Sequence, residues 1–139
     1  MQTIKGIAVF PGIVIARALV LEQFRERIPY HRVADGDVAR ELKMLAQAIA
    51  DAQASLQSDR DRVEADLGPE PAKIFEFHLG LLNDPALMDP VRVRIEQESV
   101  TAAFSVSDAF STLANKFRDM GSEVFRDKAR DILDLERRL

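Results

Sequence analysis

Leu42, Leu45, Ile49, Ala52 and Leu56 step along the chain by threes and fours, and Val63 and Leu67 carry the stripe on to Gly68-Pro69. That period places the apolar side chains on one face of an α-helix. Asp35 or Asp37 can cap its start, and Gly68-Pro69 can stop it. The result is a helix of about 30 residues, about 45 Å long at 1.5 Å per residue. The stripe is narrow, close to a heptad seam, so the helix is expected to lie along another helix.

The rest of the chain supplies candidates. PAKIFEFHLGLL, from Pro71 to Leu82, reads as a shorter helix. Asp84-Pro85 and Asp89-Pro90 follow, and each pairs an N-cap residue with a proline suited to the first helical position. The chain is therefore expected to stop at Asn83, make a short turn, and restart at Pro90. A third helix is expected from Thr101 to Met120, with Ala103, Val106, Phe110, Leu113 and Phe117 on one face. Gly121-Ser122 supplies a stop and a cap for a last helix from Glu123 to Leu139. Residues 1–30 differ. Ile4, Ile7, Val9 and Phe10 precede Pro11-Gly12, and an apolar run from Ile13 to Leu21 follows, which reads as strand, turn, strand. Two strands are marginal alone, and an unbroken apolar run suits a strand covered on both faces. The expected fold is mainly α: an antiparallel four-helix bundle with a kinked second helix over 31–139, plus a short N-terminal β-hairpin over 1–30.

Composition narrows the function. With 139 residues and 47% apolar content, the chain can bury one real core. Its 23 acidic and 19 basic residues leave a net charge of −4. Nucleic acid is thus not expected as a partner, because phosphate binding needs a basic face, whereas a partner with a basic patch fits. The chain has no cysteine, hence no disulfide, thiol nucleophile or thiolate metal ligand, which fits a cytoplasmic protein. No apolar run approaches about 20 residues, so no membrane span is expected. No basic segment followed by a long apolar one opens the chain, so no secretion signal is expected either.

Catalytic candidates are few. His78 could act as phosphoacceptor or general base, or be a helix histidine half buried against apolar neighbours; no glycine-rich segment surrounds it to cradle a phosphate. His31, in IPYHRV, reads as a linker residue. Glu76 and His78 are two apart and do not face each other on a helix, and no further ligand stands at zinc spacing. Asp127, Asp131 and Asp134 share a face, but interleaved Lys128 and Arg130 make it a solvated salt-bridge face. Neither GxGxxG nor a Walker pattern occurs. Read residue by residue, the chain is a helical interaction domain with an attached hairpin, and a stand-alone adaptor or regulatory domain without catalysis remains an alternative.

The ordered set GIAVFPGIVIARAL, RELKMLAQAIADAQASL, KIFEFHLGLLNDPAL and KARDILDLERRL resembles the N-terminal region of enzyme I, the phosphoenolpyruvate (PEP)–protein phosphotransferase of the bacterial phosphotransferase system, and its nitrogen-system paralogues. The resemblance covers essentially the whole chain. It implies that the hairpin belongs to an α/β phosphohistidine domain and that the helices form the docking surface for the small phosphocarrier HPr or a homologue. It also implies that the phosphorylated histidine, the PEP-binding barrel and the dimerisation region of the full enzyme lie beyond this chain. The chain alone would then be inactive, with no cofactor of its own; Mg²⁺ is expected for the full-length enzyme. Carried over by position, the implied carrier contacts are Glu70, His78, Gly80, Leu81, Asp84, Leu87, Phe125 and Lys128. Leu81 and Leu87 are expected to be exposed in a groove shared with the last helix near Phe125 and Lys128. The family often has Ser at Phe10, Gly at Arg17, acidic residues at Pro69 and Ala86, Met at Gly80 and Arg at Lys128.

Overall fold

The computed structural model describes residues 28–139. The expected hairpin lies outside the described residues, save the last positions of 1–30. The described residues are mainly helical. A 3-10 turn at Asp35–Asp37 leads into α1 (Val38–Leu67), followed by α2 (Pro69–Asn83), α3 (Pro85–Glu98), α4 (Ala102–Asp119) and α5 (Glu123–Glu136). Helix α1 packs chiefly on α2, α4 on α5, and α3 on α4.

The stripe of α1 is buried at Leu45, Ile49, Ala52 and Leu56, whereas its continuation is not: Val63 is half-buried and Leu67 is 69% exposed. The buried four meet Met88, Val91 and Ile95 of α3, Val106 and Phe110 of α4, and Ala129, Ile132 and Leu135 of α5 in one continuous core. Gly68 ends α1 at φ 87°, a left-handed value that favours glycine. Its N–H bonds to the Glu64 carbonyl at 3.0 Å, and Pro69 opens α2 at once. At the other end neither Asp35 nor Asp37 caps α1 through its side chain. The 3-10 turn takes that place, Asp37 pairs with Arg40 at 3.3 Å, and Asp35 accepts a bond from the Ser99 hydroxyl at 3.2 Å.

The chain breaks once after α2, and it restarts at Pro85 rather than at Pro90. Asp84 is extended (φ −78°, ψ 112°), and its carboxylate accepts from the Ala86 N–H at 2.9 Å. With Asp84 as cap and Pro85 at the first helical position, α3 is already under way when Pro90 arrives inside it. Pro90 has no N–H to return to the Ala86 carbonyl. Both residues are exposed, so that carbonyl can turn to water instead. Asp89, free of capping duty, pairs with Arg92 at 2.8 Å.

The corner between α3 and α4 is tied to the chain's lead-in. Ser99 adopts a left-handed conformation (φ 50°), held by the Val33 N–H on its carbonyl at 2.7 Å, while the Thr101 N–H reaches the His31 carbonyl at 3.1 Å. Glu41, 6% exposed, crosses from α1 to accept from the Ala102 N–H at 3.0 Å. A buried carboxylate thus sits on the first amide of α4, where unpaired N–H groups and the helix dipole favour negative charge. At the next corner Gly121 (φ 78°) lets the chain turn, and the Ser122 hydroxyl caps the Phe125 N–H at 3.4 Å. Helix α5 ends at Glu136, and Arg138 just beyond it returns to Asp59 of α1 at 2.9 Å.

Candidate functional site

A groove with a volume of about 540 Å³ opens where the end of α2 and the start of α3 face α4. Leu81 and Asp84 come from the α2 end and its cap. Ala86, Leu87, Pro90 and Arg94 come from α3, and Ser105, Asp108, Ala109, Thr112, Leu113, Lys116 and Phe117 come from α4. The break at Asn83 creates this concavity, because two short helices meeting at a corner leave their apolar edges facing α4.

Leu81, Leu113 and Phe117 are half-buried against the core. Leu87, in contrast, is only 8% exposed. The expectation that Leu81 and Leu87 are both exposed is thus corrected for Leu87: it follows the Asp84 cap on the inward side of α3 and forms part of the groove's floor. Charge is confined to the rim. The Arg94 guanidinium is held by Glu98 at 3.1 Å and by Asp108, and it lies over the Phe104 ring at 5.2 Å. Asp84 is exposed at the opposite wall.

The remaining expected contacts scatter. Glu70 is exposed and pairs with Lys73 at 2.6 Å. It stands at the start of α2, some fourteen residues and about 21 Å of helix from Asp84. Gly80 is exposed beside Leu81. Phe125 joins the groove only indirectly, its ring meeting Phe117 edge-on at 5.9 Å. The Lys128 ammonium sits 4.3 Å above the Phe77 ring and 3.2 Å from Asp131. The groove is therefore walled by α4, not shared with α5; the last helix only buttresses one end of it.

His78 is 7% exposed and turns toward α5 rather than into the groove. Neither ring nitrogen has a hydrogen-bond partner. Burial holds its pKa below the ordinary histidine value. The Asp131 carboxylate opposes that shift, and the Arg138 and Lys128 cations add to it. The burial of His78 and its apolar surroundings suit packing.

Of the α4 wall, the sequence pattern places only Leu113 and Phe117, on the expected apolar face of that helix. Ala109, Leu113 and Phe117 recur at i, i+4 and i+8, one row aside from the buried Val106 and Phe110. An apolar face wider than one core row was the available signal. Among the described residues no cluster of three or more His, Cys, Asp or Glu side chains could hold a metal ion, and no helix is long and apolar enough to cross a membrane.

Residues 5–128 match the family described as PEP-utilising enzyme, N-terminal. The chain is 32% identical over its full length to the phosphoenolpyruvate-protein phosphotransferase of Bacillus subtilis (strain 168), covering 24% of that protein. It is 33% identical to the phosphotransferase of Staphylococcus carnosus (strain TM300), over 99% of this chain and 24% of that one. The chain thus spans about a quarter of the length of the curated relatives it matches. A solution structure of an enzyme I protein, 27% identical, matches 80% of this chain and 45% of its own with a TM-score of 0.74.

Proposed function

The chain belongs to the family of N-terminal regions of PEP-utilising enzymes, and from that membership we propose that it is the carrier-docking region of a PEP-dependent protein phosphotransferase of the enzyme I type. Residues 31–139 are the docking domain. The partner is an HPr-type phosphocarrier in the cytoplasm. The chain binds and orients it, so that a phosphohistidine on the adjoining domain can pass its phosphoryl group to the carrier's histidine. Mg²⁺ would serve the full-length enzyme.

The observation that carries this reading is the groove at the α2–α3 break. It has a half-buried apolar wall of Leu81, Leu113 and Phe117, with Asp84 exposed at the rim. The rim carries Asp84 and Asp108 together with Arg94 and Lys116, so an apolar centre with a mixed-charge edge suits a docked protein surface, and the exposed Asp84 can meet a basic side chain beside the carrier's histidine.

Calorimetric titration with the HPr-type carrier of the same genome tests the proposal. Truncating a central anchor commonly costs about 2 kcal/mol. Leu81→Ala should therefore weaken binding by roughly thirtyfold at about 1.4 kcal/mol per decade. Unchanged affinity in a folded Leu81→Ala chain would place docking elsewhere.

A further inference from the structure

Tyr30 and Phe104 meet edge to face with ring centroids 5.1 Å apart, yet neither belongs to the core or to the side chains packed against it. Tyr30 is 57% exposed. A pair so placed adds little core burial, and its geometry calls for another cause. The backbone beside it is closely held. Arg32 bridges Val100 in antiparallel fashion. The Val33 N–H on the Ser99 carbonyl and the Thr101 N–H on the His31 carbonyl flank that bridge. These bonds fix the lead-in to α1 against the corner between α3 and α4, and they set the Tyr30 ring on Phe104.

Phe104 in turn reaches the groove. Its ring carries the Arg94 guanidinium at 5.2 Å, and Arg94 lines the groove. Glu98 and Asp108 hold the same guanidinium by its edges. With carboxylates at its edges and a ring under its face, the side chain is confined to the rim. Without the ring, that cation is freer to swing over the groove mouth. There it would repel the basic side chain that the exposed Asp84 is placed to meet.

We infer that Tyr30 is a positioning residue of the docking groove: through Phe104 it keeps the Arg94 guanidinium at the rim, so that the lead-in segment sets how the groove receives a basic partner surface. The inference rests on the docking function proposed above.

The test pairs melting curves with titration of the HPr-type carrier of the same genome, at low and at high salt. The chains compared are wild type, Tyr30→Phe, Tyr30→Ala, Arg94→Met, the double variant Tyr30→Ala/Arg94→Met, and Leu81→Ala. Tyr30→Ala should weaken binding roughly threefold at low salt, the equivalent of one exposed cation–π contact. The loss should shrink at high salt, which screens the released cation. Tyr30→Phe keeps the ring and should bind as wild type does. In the Arg94→Met background Tyr30→Ala should change affinity no further, because the cation it would release is gone. General loss of structure would instead weaken binding in both backgrounds and at both salt concentrations. A Tyr30→Ala chain that binds as wild type does, or that loses the same factor with and without Arg94, overturns the positioning role. If Leu81→Ala still weakens binding in that case, the docking function stands and only the role of Tyr30 falls. If Leu81→Ala changes nothing either, both fall.

Discussion

Acid should loosen the joint between α2 and α5, and His78 is where the effect is expected to originate. The residue is 7% exposed with both ring nitrogens unpartnered. Its pKa is lowered, chiefly by burial, with Arg138 and Lys128 adding to the shift and Asp131 opposing it. In the unfolded chain the imidazole titrates near 6.5. Below that value the unfolded state binds the proton more readily than the folded one, so stability falls as pH falls. The contribution is complete above about pH 6.5 and is lost progressively down to the lowered folded pKa, with about 1.4 kcal/mol per pH unit as the upper limit of the slope for one proton. His78→Leu keeps much of the volume and removes both orphaned nitrogens. An unsatisfied buried polar atom costs about 1–3 kcal/mol, so the variant should be more stable at neutral pH by about 1 kcal/mol or more. It should also lack the acid-side slope. Urea melts between about pH 5 and pH 8, with His31→Gln in both chains so that His78 is the single imidazole of the reference and the His78→Leu variant has none, isolate the effect as a difference in which the carboxylates cancel. A ring-proton titration by NMR reports the folded pKa directly. Equal slopes for the two chains, or a His78 that titrates at or above the ordinary value, would show that Asp131 outweighs burial and would refute the reasoning.

Two further outcomes follow from the core and its caps. Leu87→Ala should cost about 2–4 kcal/mol in denaturant melts, because the side chain is buried beside Met88 and Val91; a loss of a few tenths would mean that it faces the open groove after all. Glu41→Ala should cost about 1–2 kcal/mol and should speed hydrogen exchange at the Ala102 amide that its carboxylate covers; Glu41→Gln, which keeps an acceptor but not the charge, should cost less.

The helices were largely legible because each rested on a local cause. The stripe from Leu42 to Leu67 runs to the residue where α1 ends, and Gly68 stops it through the positive φ that glycine favours. Pro90 lies inside α3 and does not start it: a proline after an aspartate signals a helix start equally well at two nearby places. The decision fell to Asp84, whose carboxylate already holds the Ala86 amide; once α3 has started there, the second proline has only to be tolerated. Glu41 carried no signal of its own, since its partner amide at Ala102 stands 61 residues away and only the packed fold brings them together.

The groove was half legible for a different reason. A break in a helix is a local event, written in Asn83-Asp84-Pro85, so the α2–α3 wall could be placed from those residues. The opposite wall could not. Ala109, Leu113 and Phe117 differ from the core row of Val106 and Phe110 only by a small rotation about the α4 axis, and which row meets the core depends on how α4 sits on α3 and α5. The same dependence separates Leu81 from Leu87. Both are leucines flanking one break, yet α3 leaves Asp84 in a direction that carries Leu87 inward among Met88 and Val91 and leaves Leu81 on the wall. The corner therefore does two jobs at once: it supplies the groove with a wall by ending α2, and with a floor by turning the first leucine of α3 back toward the core.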